Sequence, residues 1–284
     1  QDHLDFHQDM ESYFRAKSHL FLELPRADKV MAINGDDPWG RRLLELCPRA
    51  LSFGLQKALP QQRHLWGELL SAGTDGCHLR MHLDGQQWEL RSPLVGAFNA
   101  SNLLSVQALA LELGLMPDDL RHLEDFHGVC GRLERVPNAR KLHVFVDYAH
   151  TPDALVNVLK ALRGAGFKRI VTVFGCGGNR DRTKRPIMGE AVARYSDVAV
   201  LTSDNPRFED PEAILKDVLP GLREAREVVV EVDRRKATAK AVEMLGPDDA
   251  LLIAGKGHED YQIIQGTKHH YSDQEVVREL LGCA

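Results

Sequence analysis

No stretch of the sequence approaches the roughly 20 consecutive apolar residues of a membrane span, so a membrane partner is not expected. Cysteine is scarce. The five that occur (47, 77, 130, 176 and 283) are odd in number, far apart and without a CxxC pair. That argues against a disulfide framework or a zinc site and for reduced thiols in a cytoplasm. Charge of one sign is also missing: Lys+Arg is 36 against Asp+Glu 41, which gives no basic bias toward nucleic acid and no acidic tail. There is no internal repeat, no low-complexity segment, no signal peptide and no transit composition. The chain opens on QDHLDFHQ without an initiator Met, and we expect it to be the later part of a longer protein.

What is present is ordinary globular material, 43% hydrophobic and 27% charged over 284 residues, enough for about two domains. The first part is mixed. QDMESYFRAKSHLFLEL has helical periodicity and DKVMAIN reads as a short strand. GCHLRMHLDGQQWELR alternates Leu79, Met81 and Leu83 against His78, Arg80 and His82, then turns at Asp84–Gly85, which predicts a hairpin. FNASNLLSVQALALELGL predicts an apolar helix, and MPDDLRHLEDF opens another with Pro117 near its first turn. In HGVCGRLERVPNARK glycine, proline and charge replace periodicity, as at a hinge.

From Leu142 the pattern becomes regular. Apolar runs (LHVFV, RIVTVF, VAVL, EVVVEV, ALLIA) alternate with helical segments (DALVNVLKAL, PIMGEAVARY, PEAILKDVL, KATAKAVEML, SDQEVVRELL). Such alternation predicts a mostly parallel sheet with helices on both faces, and ligands sit off the carboxyl ends of such strands. The segments after the five runs are DYAHTPD, GCGGNRDRTKRP, TSDNPRFEDP, DRRKA and GKGHED. All deliver glycine or polar residues to one edge, so Arg180, Asp204, Arg207 and Glu259 are expected to line a shared crevice of both charges. A guest carrying ammonium and carboxylate groups suits that lining.

Asn205–Pro206 makes a stiff corner, because proline fixes its own φ and extends the residue before it. It holds Asp204 and Arg207 apart; by itself the segment is better read as a polar turn. Lys17 shares a helical stripe with Phe14 and Phe21. Lysines there ordinarily snorkel outward. A desolvated one becomes nucleophilic and can take up CO₂ as a carbamate, a long-armed carboxylate able to help hold Mg²⁺. His3 and His7 are spaced i, i+4, but two histidines alone do not make a metal site. Trp39, Trp66 and Trp88 read as packing, Cys176 lacks the partner pattern of a nucleophile, and Asp233 reads as a helix cap. RDRTKR is read as meeting substrate carboxylate or solvent.

In order along the chain, DHLDFH…MESYFRAK, FNASN, GRLERV, DYAHTPDAL, GCGGNRDRTKRP, SDNPR and AGKGHEDYQ resemble the later part of the Mur ligases. The likeness runs from the first residue to near Leu280. It implies an α/β protein: the remainder of a P-loop-type central ATPase domain over 1–130, then a Rossmann-like, mostly parallel C-terminal domain over 131–284 that binds the amino acid. It implies ATP-dependent amide formation through an acyl phosphate, adding the third stem-peptide residue of bacterial peptidoglycan to UDP-MurNAc-dipeptide in the cytoplasm. Phosphoryl transfer is mostly positioning and charge neutralisation.

By resemblance, Lys17 is the carbamylated lysine and His3 a Mg²⁺-associated histidine. Asn99 and Asn102 meet the adenine, Arg132 lies near the nucleotide, Asp147 holds the ribose and His150 sits near the phosphates. Arg180, Asp204, Asn205, Pro206, Arg207, Gly255 and Glu259 bind the incoming amino acid. The DNPR motif implies meso-diaminopimelate, whose far carboxylate suits a guanidinium fork; lysine would leave Arg207 unpaired. A monomer with small-molecule partners, and no nucleic acid or membrane, is expected. The family's phosphate loop, GxxxxGK[ST], does not occur here and is expected upstream with the uridine-binding domain. Unless another chain supplies them, the chain is expected neither to hydrolyse ATP nor to form product. The rival readings are a non-catalytic amino-acid-binding module, a lysine-adding ligase and a folylpolyglutamate-synthase-like ligase.

Overall fold

The computed structural model describes residues 9–23, 29–57 and 62–282, arranged as two compact units, Gln1–Phe126 and His127–Ala284. His3, His7 and Cys283 lie outside the described residues.

In the first unit, α1 (Met10–Leu22) starts where Asp9 accepts a hydrogen bond from Ser12 N at 2.7 Å. Its buried side chains are Phe14 and Ser18, with Phe21 packed at the edge of the same small core. α2 (Pro38–Leu46) is capped by Asp37, with proline in its first turn. The sheet runs β1 (Ala32–Asn34), β2 (Leu51–Gly54), β3 (His64–Gly73), β4 (Gly76–Leu83) and β5 (Gln86–Ser92), in that spatial order. The first three strands are parallel and the last two complete an antiparallel meander.

The β4–β5 turn falls at Asp84 and Gly85, with φ of 51° and 79°, the left-handed pair that a two-residue hairpin turn needs. α3 (Ala97–Glu112) lays Ala100, Leu103, Leu104 and Ala108 on the sheet. The segment expected as a further helix forms a 3₁₀ helix, Pro117–Asp125. Only Leu120 is buried there, and packing that would extend it into regular α-helix is missing.

In the second unit, β7 (His143–Asp147), β8 (Arg169–Phe174), β9 (Val198–Leu201), β10 (Val228–Val230) and β11 (Asp249–Ala254) are parallel. β6 (Glu134–Arg135) pairs antiparallel to β7 at the edge. The order is β10-β9-β8-β11-β7-β6, so the last parallel strand slots between β8 and β7. β8, β9 and β11 are buried along nearly their whole length, the continuous apolar run of a sheet covered on both faces. The covering helices are α4 (Pro152–Gly164), α5 (Lys184–Tyr195), α6 (Pro211–Val218), α7 (Arg234–Glu243) and α8 (Asp273–Leu281). Asp233 caps α7 by accepting from Arg235 N and Lys236 N.

Two features were not foreseen. Arg234 and Asp273 form a fully buried ion pair, Nε–Oδ1 2.9 Å and Nη2–Oδ2 2.8 Å, and Arg234 Nη2 also donates to Ala254 O at 2.9 Å. It ties α7 and α8 to the end of β11. A two-stranded ribbon, β12 (Tyr261–Ile264) and β13 (Thr267–His270), stands outside the main sheet. Among the described residues no helix is long and apolar enough to cross a membrane.

Candidate functional site

Because β11 lies between β8 and β7, the loops leaving β7, β11, β8 and β9 emerge side by side. They enclose a cavity of about 320 Å³ at the carboxyl ends of the strands. Arg180, Asp204, Asn205, Arg207, Gly255, Glu259 and His150 all line it, so residues from four separate loops meet. The fifth segment, after β10, does not reach the cavity: Asp233 caps α7 and Arg234 is buried against Asp273. The expectation of five converging loops is corrected to four, because the last one turns at once into a helix.

The corner at Asn205–Pro206 is built by close approach. A Cβ on Gly178 would drive into the carbonyl oxygen of Pro206, so glycine there lets the loop after β8 lie flat on the corner. Pro206 supports the corner from behind rather than facing the cavity. Arg207 follows with φ of 55°, a left-handed conformation that costs a non-glycine residue about 1–2 kcal/mol. Two backbone bonds to the ribbon hold it there: Arg207 N donates to Ile263 O at 2.9 Å, and Gln265 N donates to Arg207 O at 2.6 Å. Its Nη1 donates to Gly178 O at 2.9 Å, which fixes the guanidinium at the cavity lining. Arg180 is exposed and, among the described residues, has no hydrogen-bond or ion-pair partner.

Asp181, Asp204 and Glu259 line the same cavity. Asn205 ties the acidic side together: its Nδ2 donates to Glu259 Oε2 at 3.0 Å and its Oδ1 accepts from Ile263 N at 2.9 Å. Beneath lies Lys256, fully buried, with Nζ 2.8 Å from Tyr261 O, 3.2 Å from Asn205 Oδ1 and 3.3 Å from Asp204 Oδ1. Burial pulls its pKa below the ordinary lysine value, and the Asp204 carboxylate pulls it back up. Sequence reasoning missed Lys256. The available signal was a lysine between two glycines directly at the end of a buried strand.

RDRTKR divides. Arg182 pairs with Asp217 away from the cavity lining, while Arg180, Asp181, Lys184 and Arg185 border the cavity, Arg185 buried in a fork with Glu209 and Asp217. Cys176 also borders it, with Sγ 3.6 Å from Met188 Sδ. Burial, and then the nearby Asp204 charge, push its thiol up to about 12, which keeps it a protonated, inert packing group.

Asp147 ends β7, where Oδ2 accepts from Leu133 N at 2.6 Å and Oδ1 from Ala149 N at 2.7 Å. Burial raises its pKa in spite of these bonds. His150 Nδ1 sits 2.8 Å from Tyr148 O, and Arg132 lies over the Tyr148 ring at 5.1 Å. Asn99 and Asn102 belong to the first unit; Asn99 Nδ2 donates to Val95 O, and Asn102 Nδ2 donates to Asn99 Oδ1. Lys17 is exposed, with Nζ 5.5 Å from the Tyr13 ring centre. The buried stripe of α1 passes through Ser18, one position further round, so the desolvation considered for Lys17 is not found.

A parallel α/β domain whose strand-end loops gather arginines and carboxylates, joined to a second unit of mixed α/β, defines a class found among amino-acid ligases. Residues 1–110 match the Mur ligase middle domain, and residues 131–257 match the Mur ligase glutamate ligase domain. The chain belongs to the Mur ligases.

Within that family the relatives are specific. A UDP-N-acetylmuramoyl-L-alanyl-D-glutamate–2,6-diaminopimelate ligase of Lawsonia intracellularis is 57% identical over 100% of this chain and 59% of its own length. The ligase of the same name from Aquifex aeolicus is 45% identical over 99% of this chain and 57% of its own length. A solved structure of a ligase with that name superposes with a TM-score of 0.71 at 34% identity, covering 97% of this chain and 57% of that one. The chain thus spans somewhat over half the length of these relatives.

Proposed function

We propose that the chain supplies the amino-acid-binding domain (131–284) and the later part of the ATP-binding domain (1–130) of a diaminopimelate-adding Mur ligase. The reaction is ATP-dependent amide formation between UDP-N-acetylmuramoyl-L-alanyl-D-glutamate and meso-2,6-diaminopimelate in peptidoglycan synthesis. The observation that carries this reading is a cavity whose lining brings together Arg180, Arg207, Asp204 and Glu259. A guest with an ammonium and a carboxylate at each end satisfies such a lining, and lysine satisfies only part of it. Relatives bearing the diaminopimelate ligase name support the same choice.

In this reading the substrate carboxylate takes the γ-phosphoryl of ATP, and the amine of the bound amino acid attacks the acyl phosphate. The protein's part is to fix the amine's approach by clasping the distal end with Arg207, while the exposed guanidinium of Arg180 meets a carboxylate. Asp147 is assigned to the ribose, Arg132 and His150 to the nucleotide, and Asn99 and Asn102 to the adenine. Mur ligases in general use Mg²⁺. Among the described residues no group of three or more His, Cys, Asp or Glu could hold a metal ion, and no step is routed through one. The carbamate on Lys17 with His3 remains a proposal whose direct test is electron density at Lys17.

The alternative is a non-catalytic amino-acid-binding module. Calorimetric titration with meso-diaminopimelate and with L-lysine, with and without ATP, alongside phosphate release, separates the two. Binding of diaminopimelate over lysine supports the assigned site; binding without phosphate release supports the module. No binding of either amino acid refutes the site.

A further inference from the structure

Lys256 lies behind the residues that line the cavity, and no step above employs it. Its side chain is fully buried, and its ammonium donates to Tyr261 O and Asn205 Oδ1 and stands in ion-pair contact with Asp204 Oδ1. Each oxygen belongs to the amino-acid clasp or to the ribbon that supports it. Asn205 carries the tie onward, since its other end donates to Glu259 Oε2 at 3.0 Å. The backbone closes the loop, with Glu259 N donating to Lys256 O at 2.9 Å. Gln262 Nε2 fastens Asp204 from outside by donating to its carbonyl at 2.7 Å. Asp204 directly, and Glu259 through Asn205, are therefore registered on one ammonium. Asp204 Oδ1 is buried beside that ammonium and has no hydrogen-bond partner among the described residues, so its place is held by the ion-pair contact with Lys256.

The charges explain why a lysine stands here. Asp204 and Glu259 are two carboxylates lining one cavity, and a buried cation in contact offsets their like charge. Lys256 places its ammonium 3.3 Å from Asp204 Oδ1 at the cost of its own desolvation, which lowers its pKa. Arg234 and Asp273, buried behind it, add no net charge.

We propose that Lys256 is the positioning residue of this cavity: its ammonium fixes Asp204 and Asn205 and, through Asn205, Glu259, so that the acidic side of the site is set to receive the guest's distal ammonium. This rests on the amino-acid site assigned above.

The test compares two ligands by calorimetry on the full chain: meso-2,6-diaminopimelate and 2-aminopimelate, which lacks one amine. In the wild type the second amine is expected to strengthen binding by about tenfold or more, the value of a charge-assisted hydrogen bond. In Lys256→Met that preference is expected to shrink to within about threefold, while arginine-dependent recognition of carboxylate persists in both ligands. An equal loss for both ligands, or an undiminished preference for diaminopimelate, overturns the proposal and leaves Lys256 a merely structural group. Should Lys256→Met fail to fold, Lys256→Gln, which keeps one donor in place, carries the same comparison. If the wild type binds neither ligand, the site assignment itself falls and this inference with it, a failure already visible before any variant is made.

Discussion

Replacing Asp273 with Ala strips the partner from a guanidinium that is 0% exposed. Arg234 then keeps only its bond to Ala254 O, and its charge stays in a place water cannot reach. In the intact pair, burial opposes the charge, but the Asp273 carboxylate overrides it and holds Arg234 firmly protonated. Breaking a buried pair from one side costs about 3–5 kcal/mol, a large share of the roughly 5–15 kcal/mol that keeps a domain folded. With a urea m-value of about 2 kcal/mol/M, the midpoint for residues 127–284 is expected to fall by roughly 2 M at unchanged m.

The assay is urea unfolding followed by circular dichroism. The decisive comparison is the double variant Arg234→Met/Asp273→Leu. Removing both charges removes both desolvation penalties, so the double variant is expected to be more stable than Asp273→Ala. A loss under about 1 kcal/mol for Asp273→Ala, or a double variant less stable than the single, refutes this account of the pair.

Arg207→Ala is expected to weaken diaminopimelate binding by roughly 10- to 100-fold and leave lysine binding nearly unchanged, as read by calorimetry; equal effects on both would remove Arg207 from the distal carboxylate. Gly178→Ala is expected to push the Asn205–Pro206 corner outward, with about 1–3 kcal/mol lost from stability and a parallel loss of amino-acid binding. For Cys176 the folded thiol titrates near about 12 against an ordinary 9.0. Between those values the unfolded thiol is ionised and the folded one is not, so this group's contribution to stability is present below pH 9 and is lost as pH rises toward 12. Three pH units at 1.36 kcal/mol each set a ceiling of about 4 kcal/mol. The stability gap between wild type and Cys176→Ala is therefore expected to narrow across that window in denaturant titrations; a constant gap refutes it.

Much of this was legible in the amino-acid order, because burial on both faces leaves a plain mark. VAVL and RIVTVF are strands over the residues the apolar runs delimit, Val198–Leu201 and Arg169–Phe174. The hairpin turn at Asp84–Gly85 was marked by the dipeptide itself. The gathering of Arg180, Asp204, Arg207 and Glu259 followed from parallel strands ending on one edge. What stayed hidden depends on partners remote in sequence. Lys256 and Asn205 are 51 positions apart, and Arg234 and Asp273 are 39 apart, so no local periodicity joins them. Lys17 misled for the opposite reason: a neighbouring position on the helix, Ser18, takes the buried place. The ribbon escaped notice because all four residues of β13 are exposed and carry no apolar alternation.

That ribbon touches the clasp through main-chain atoms, since Ile263 and Gln265 grip the backbone of Arg207 and not its side chain. Such a grip is indifferent to what residue stands at the corner. Change of diet in this lineage would therefore require new side chains on an unchanged hinge, with the sheet that carries the fold's stability left alone.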